Sequence, residues 1–332
     1  MNPSTHALRW AGILMVLGAA TVLLGTAAGS EGWQAWWLSG GDAVSQQIVL
    51  DIRLPRSLGA WLGGCLLGLA GAVAQGLFRN PLADPYLLGS ASGASLGVGT
   101  YWSLWGGSAW AMNGWMGLGL TGAAFVGAVL AVLLTLLLAR GVQQTLRLLL
   151  AGVVVGVVLG AVTSMMSLLQ PQVQQAMQGF MLGSTAFVSW AACATMASVL
   201  VVGVVLAWAF ARVLDALTLG EATAQSLGVP LRWARMVLVG VISLATGAAV
   251  AHIGLVAFVG LAAPHLVRTL VRSTHAWHVC LAALVGGALL ALADVMARVL
   301  FAPQELPVGM LTAVLGGAYL LWRVYRGSGG AR

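Results

Sequence analysis

Residues 146–169 read LRLLLAGVVVGVVLGAVTSMMSLL, with Arg147 as the only charged side chain among them. A helix needs about 20 consecutive apolar residues to cross the hydrocarbon core of a bilayer, and this stretch is long enough. Gly152, Gly156 and Gly160 recur every four residues, so they share one helix face and allow another backbone to approach closely. The stretch therefore predicts a membrane-spanning helix with a small-residue face, which fits either static packing or a moving interface.

The rest of the chain has a similar composition. Of the 332 residues, 60% are hydrophobic and 7% are charged, and the mean hydropathy is +0.96. A soluble domain carries about 25% charged residues, so this composition cannot supply a solvated surface. It is also too apolar for a disordered chain. The composition therefore predicts an integral membrane protein.

Ten apolar runs give the expected number of spans. Eight of them lie at about residues 8–29, 57–78, 117–139, 146–169, 184–211, 233–253, 277–301 and 307–322. Two weaker runs lie at about 92–106 and 255–270, and Pro264 in the second predicts a short or broken helix. We expect an all-α polytopic membrane protein, with about ten transmembrane helices in one domain over residues 1–332. The first run also fits a signal peptide, because His6 and Arg9 lie at its N-terminal end and Thr26-Ala27-Ala28 resembles a cleavage site.

The arginines predict the orientation of these spans. All 15 basic residues are arginine, and with both termini inside the outer side holds three of them, Arg53, Arg56 and Arg298. The other twelve fall on the inner side, at positions 9, 79, 140, 147, 212, 232, 235, 268, 272, 323, 326 and 332. This split agrees with the positive-inside rule. The net charge of +7 therefore indicates orientation, and we expect no nucleic-acid partner.

Most enzyme chemistries are disfavoured by the sequence. Without lysine the chain can form neither a phosphate-binding G-x-x-x-x-G-K-[ST] loop nor a Schiff base. We expect no metal site, because the chain has no C-x-x-C pair and no H-E-x-x-H motif. Residues 93–97 match the nucleophile-elbow pattern G-x-S-x-G. An intramembrane serine hydrolase that pairs Ser95 with His252 or His265 is therefore a remote alternative.

An inner loop at about residues 219–229 reads LGEATAQSLGV. Glu221 suits the positive N-terminal end of a helix, and Gly228 followed by Pro230 suits a helix end. A short docking helix and a plain connector both fit this pattern.

Several motifs, taken together, resemble a known family. They lie at residues 53–56 (RLPR), 71–75 (GAVAQ), 79–89 (RNPLADPYLLG), 219–229, 258–265 (FVGLAAPH) and 305–309 (ELPVG). In this order they resemble the type II ABC importer permeases, which import iron–siderophores, haem and vitamin B12. The similarity runs from about residue 50 to the C-terminus. One departure is Ala318 after Gly316-Gly317, where the family commonly has proline.

This resemblance implies the partners and the location. It implies a homodimer with a central pathway, surrounded by membrane lipid in the bacterial inner (plasma) membrane, with both termini cytoplasmic. Two ATPase subunits, which bind ATP and Mg, sit on the cytoplasmic side, and a periplasmic substrate-binding protein docks outside. The chain itself is expected to have no cofactor and no catalytic residue, since the ligand passes unchanged.

The resemblance also assigns roles to individual positions. It implies that the ATPase is coupled through Gly220, Glu221, Leu227 and Gly228. It places Leu82, Gln144 and Thr145 near the inner gate. It also implies that Arg53, Arg56 and Arg298 dock the glutamates of the binding protein. Arginine suits bidentate pairing with carboxylates. For Arg298, an ion pair with Asp294 four residues earlier is the alternative, and both roles are compatible.

Haem is the first ligand we expect, with a siderophore or vitamin B12 as the alternative. His252 lies at the outer end of the seventh predicted helix, where an imidazole can bind haem iron axially. Soft contacts to a flat apolar ring would come from Met165, Met166, Met177 and Met181. A solvated helix-end histidine and gap-filling methionines explain the same residues without a ligand.

Overall fold

The computed structural model describes residues 3–29, 32–33, 43–106, 116–139 and 145–328. Its helices are α1 (Pro3–Ala27), α2 (Ala43–Ile48), α3 (Leu54–Phe78), α4 (Ser90–Trp105), α5 (Met116–Leu138), α6 (Thr145–Leu169), α7 (Pro171–Leu182), α8 (Trp190–Ala209), α9 (Ala211–Thr218), α10 (Glu221–Ser226), α11 (Leu231–Ile253), α12 (Val259–Leu270), α13 (His275–Val299) and α14 (Val308–Ser328). A π-helical turn, Val49–Arg53, joins α2 to α3, and a 3-10 turn, Pro85–Leu88, precedes α4. Two short strands, β1 (Ala28–Gly29) and β2 (Gly32–Trp33), pair antiparallel after α1.

Each of the ten predicted spans coincides with a helix, so the all-α polytopic fold is confirmed. The ten are α1, α3, α4, α5, α6, α8, α11, α12, α13 and α14. In the described part of the chain, seven segments are long and apolar enough to cross a membrane, and α3 continues back to Ala43 in one of them. The 12-residue α12 contains Pro264, as the sequence predicts for a short helix. The count of about ten is therefore approximate, because α4 and α12 are shorter than a full span, and the apolar stretch found in the described part of α14 is Val308–Tyr319.

Two elements differ from the sequence-based expectation. The segment after α6 forms the polar helix α7, where we expected a loop, and Pro171 occupies its first turn. The run predicted over 184–211 becomes helical only at Trp190, because the side chain of Ser189 accepts a hydrogen bond from the Ala192 amide and caps the helix.

The core of the fold is a backbone contact between α3 and α13. A Cβ atom at Gly64 would lie 2.2 Å from the carbonyl oxygen of Gly286, and one at Gly68 would lie 2.2 Å from that of Ala282. Lipid gives little hydrophobic drive for helix association, so close van der Waals packing has to supply it. The glycines of α3 therefore bring two apolar helices to backbone distance and fix their relative height.

Glycine packing of this kind predicts a strong effect for one methyl group. Gly68→Ala would place its Cβ against the Ala282 carbonyl, which cannot turn away, and we expect a loss of about 2 kcal/mol from overpacking. Gly240→Ala in α11 is the matched control, since no atom lies within 4 Å of its added Cβ. Thermal unfolding in detergent should show a lower midpoint for Gly68→Ala alone. Equal midpoints for the two variants would contradict this packing.

Candidate functional site

An open cavity of about 550 Å³ lies between α4, α6 and α7. Its lining residues are Ala91, Ser92, Ser95, Gly160, Thr163, Ser164, Ser167, Leu168, Gln174, Met177, Gln178, Met181 and Leu255. Hydroxyls, amides and thioethers therefore form its polar surface, and no side chain in this lining carries a charge. Such a wall can bind neutral polar groups and apolar rings, but it supplies no counter-ion for a charged ligand.

The helix α7 is held in place at its C-terminal end. The Leu255 amide donates to the Phe180 carbonyl (3.0 Å), and the Ser184 amide donates to the Ile253 carbonyl (2.9 Å). A Cβ on Gly254 would lie 2.6 Å from that same Phe180 oxygen, and its φ of +69° also favours glycine. These contacts fix α7 against the end of α11, so that Gln174, Gln178 and Met181 remain on its cavity side.

The predicted ligand-contacting residues are only partly brought together. Met177 and Met181 line the cavity, whereas the exposed Met165, the half-buried Met166 and the half-buried His252 are absent from its lining. Contact of His252 with a ligand therefore stays a prediction.

The sequence reasoning missed the polar residues of this wall. Gln174 and Gln178 are four residues apart on α7, and Thr163, Ser164 and Ser167 lie on the last turns of α6. The repeat of glutamine at helical spacing was the available signal, but it requires that α7 be recognised as a helix.

Of the three predicted inner-gate residues, Leu82 lies within the described chain, whereas Gln144 and Thr145 lie at a boundary of it. Leu82 is exposed in the loop after α3, and its amide donates to the Asn80 side chain (2.9 Å). In the same loop the Asp84 carboxylate accepts from the Tyr86 amide (2.7 Å), while burial raises the pKa of Asp84. Thr145 begins α6 and Gln144 lies outside the described residues, so the gate stays a prediction.

The short inner helix predicted within residues 219–229 is present as α10. It lies between Gly220 (φ 104°) and Gly228 (φ 75°), both in conformations that favour glycine. The side chain of Leu227 is 63% exposed, and that of Leu219 is similarly exposed. The carboxylate of Glu221 forms ion pairs with Arg79 and Arg235 of this chain. An exposed leucine therefore lies on each side of α10, whose own exposed residues, except Ala222, are polar.

The structure shows Arg298 in an ion pair inside the protein. Its side chain is 1% exposed, and it forms the i,i+4 ion pair with Asp294 that was the alternative to docking. Its guanidinium also donates to the Gly25 carbonyl (2.8 Å) and to the Ser57 hydroxyl (3.2 Å). Residues of α1, α3 and α13 thus surround the guanidinium, and docking through Arg298 stays a prediction. Arg298 is a structural residue in this conformation.

The other two outer arginines lie closer to the surface. Arg56 forms an ion pair with Glu305 (Nη1–Oε2, 2.7 Å) and lies 3.5 Å from Asp294 (Nε–Oδ1), and its side chain is 11% exposed. Arg53 is half-buried, and its Nη1 donates to the Thr26 carbonyl (3.3 Å). Docking through Arg53 and Arg56 stays a prediction.

The G-x-S-x-G match has a packing explanation. A Cβ at Gly93 would lie 2.3 Å from the Gly127 carbonyl oxygen, and one at Gly97 would lie 2.1 Å from that of Ala123, so both glycines serve the contact of α4 with α5. The Ser95 hydroxyl donates to the Ala91 carbonyl of its own helix (3.0 Å). An activated serine instead donates to a general base. Among the described residues, no group of three or more His, Cys, Asp or Glu side chains could hold a metal ion.

A polytopic helical chain with a neutral cavity among its helices and a short helix in the loop between two spans has the architecture of a transporter's membrane subunit. Residues 13–326 match the FecCD transport family, and the chain belongs to this family.

Two curated relatives extend over nearly the whole chain. The chain is 36% identical to the hemin transport system permease protein HmuU of Yersinia pestis over 318 residues, covering 95% of this chain and 92% of that protein. It is 37% identical to the vitamin B12 import system permease protein BtuC of Escherichia coli over 321 residues, covering 95% and 94%.

Two solved structures share the fold. One is a metal-chelate type ABC transporter in an inward-facing conformation, with a TM-score of 0.84, 27% identity, and coverage of 95% of this chain and 98% of that chain. The other, PsaBC from Streptococcus pneumoniae in complex with Fab, has a TM-score of 0.52 and 17% identity over 79% of this chain and 88% of that chain, which shows the fold alone.

The chain is thus the permease subunit of an ABC importer and not an enzyme, since its relatives are permease subunits whose ATPase is a separate chain. The serine hydrolase hypothesis is wrong.

The buried position of Arg298 predicts a stability effect. Arg298→Ala would leave the buried Asp294 carboxylate without its closest cation, and we expect a loss of about 4 kcal/mol in folding stability. Arg212→Ala, at an exposed position, is the matched control. Thermal unfolding in detergent measures both variants. An Arg298→Ala protein that unfolds at the wild-type temperature would contradict the structural role.

Proposed function

We propose that this permease moves haem across the bacterial inner membrane by alternating access. The observation that carries this proposal is the neutral cavity between α4, α6 and α7. The thioethers of Met177 and Met181 suit the face of a flat apolar ring, and the hydroxyls and amides around them suit its polar rim. The hemin permease HmuU, at 36% identity, supports the same ligand.

Vitamin B12 is the second candidate ligand, with an iron–siderophore as the third. The vitamin B12 permease BtuC is as similar to this chain as HmuU is. The uncharged cavity wall also favours a ligand with many neutral hydrogen-bonding groups, and a corrin ring carries amide side chains. For haem, the two carboxylates of the rim would accept hydrogen bonds from hydroxyl and amide donors of this wall, such as Ser164, Ser167 and Gln178.

The proposed assembly is a homodimer with two ATPase subunits inside and a periplasmic substrate-binding protein outside. The arginine distribution supports cytoplasmic termini. On the inner side, the exposed Leu219 and Leu227 around α10 give the ATPase an apolar surface to cover. On the membrane side, the exposed face of α6 carries Val153, Val157 and Met165, which a second copy or lipid would cover.

The experiment is ATP-dependent uptake by the complete transporter. The permease, its ATPase and its binding protein are reconstituted in liposomes and offered haem, cobalamin or a ferric siderophore. We expect haem to accumulate only with ATP, and less of it in a His252→Ala variant. Uptake of cobalamin or the siderophore alone would contradict haem as the ligand, and a permease that binds no ATPase would contradict the proposed assembly.

Two methionines test whether the cavity is the pathway. Met181→Ala removes a thioether from the cavity wall, and we expect haem uptake to slow about fivefold through the lost sulfur–ring contact. Met165→Ala is the matched control, because Met165 is equally exposed but absent from the lining. Initial uptake rates at saturating ATP measure the difference. If the two variants are equally slow, or neither is slow, the pathway does not follow this cavity.

A further inference from the structure

We infer that Glu221, Arg79 and Arg235 form a clasp that transmits movement of the coupling helix α10 to the cavity wall, an inference that rests on the proposed function. The Glu221 Oε1 atom lies 2.6 Å from Nη2 of Arg235 and 3.7 Å from Nη2 of Arg79. The resemblance placed Glu221 on the helix that meets the ATPase. In the structure its carboxylate contacts arginines of α11 and of the end of α3 instead.

Helix α10 is short and lies between two glycines. It contains six residues, of which only Ala224 is buried, and the glycines at both ends permit the chain to turn. A helix this short is not stable by itself. The ion pairs of Glu221 therefore supply a main side-chain link between α10 and the membrane helices, so a displaced α10 would pull on its two arginines.

Arg235 connects α10 to α11 and, through this helix, to its outer end. Arg235 lies in the second turn of α11, with its side chain 5% exposed, and this helix of 23 residues is about 34 Å long. At its other end, the Ile253 carbonyl and the Leu255 amide bond to the segment that ends α7. Leu255 itself lines the cavity. A helix is stiff enough to carry a displacement over this length.

Arg79 connects α10 to the end of α3 and, through the loop that follows, to α6. Arg79 caps α3 with φ 50°, and the chain then runs through Leu82 into the 3-10 turn Pro85–Leu88. There the Leu87 carbonyl oxygen lies 2.1 Å from where a Cβ on Gly152 of α6 would be. Helix α6 forms the wall that carries Thr163 and Ser164. The connections through Arg79 and Arg235 therefore extend to the cavity walls on α6 and α7, respectively.

The test separates transmission from ATPase docking. Glu221→Gln keeps an acceptor for Arg235 but removes the charge, so the fold should be retained. In the reconstituted transporter with its ATPase, we expect this variant to bind the ATPase as the wild type does and to hydrolyse ATP. The amount of haem transported per ATP should fall about tenfold. Leu227→Ala, on the exposed surface of α10, should instead weaken binding of the ATPase.

Four further variants test the clasp. Arg235→Lys keeps the cation and should restore most of the coupling that Arg235→Gln loses. Arg79→Gln should have a smaller effect, because Arg79 is more exposed and farther from Glu221. Asp215→Asn removes a neighbouring inner carboxylate, which pairs with His275, and should leave transport per ATP unchanged.

Two outcomes would overturn the inference. Transport per ATP that is unchanged in Glu221→Gln would show that the clasp transmits nothing, and loss of ATPase binding in that variant would make Glu221 a docking residue. Failure of the wild-type permease to bind the ATPase contradicts the proposed function instead, so the two failures are distinguishable.

Discussion

The close contact of α3 with α13 is the constraint on which the other parts of this permease depend. With no water and little hydrophobic force inside a bilayer, the two helices are held by van der Waals contact along Gly64 and Gly68. This contact sets the height of α3 relative to α13. It therefore brings Arg56, at the start of α3, to Asp294 near the end of α13, and it places Arg79 at the opposite end of α3 beside the inner loop.

The scarcity of charge explains the arrangement of the few charges present. A charged side chain in an apolar chain is costly unless it is paired. Asp294 accordingly pairs with Arg298 and Arg56 near the end of α13, where Thr185 also donates to it. Glu221 pairs with Arg235 and Arg79 at the start of α10. The cluster around Asp294 joins α1, α3 and α13. The cluster around Glu221 instead joins α11 and the end of α3 to α10, which lies between Gly220 and Gly228. We infer that the Asp294 cluster holds its three helices together, whereas the Glu221 cluster moves with α10.

The sequence predicts the helices better than it predicts the site. Spanning length and hydropathy are local properties, so the run at 146–169 became α6 within a residue. Helix α7 was missed because its glutamines face an open cavity and lower its hydropathy. The role of Arg298 was open because burial depends on α1, which reaches it from 270 residues away in the chain, through Gly25 and Ala28. Likewise, the glycines around Ser95 had two explanations until α5 was seen to pack against them.

Alternating access requires the cavity to open to opposite sides of the membrane in turn, and the accessibility of one cavity residue measures this opening. Ser164 is exposed in the cavity wall, whereas Cys65 and Cys193 are buried, so Ser164→Cys in a Cys280→Ala background supplies one reactive thiol. In the reconstituted complex, a membrane-impermeant maleimide added on the outer side should label this thiol in one nucleotide state and not in the other. Labelling at the same rate with and without ATP would contradict alternating access through this cavity.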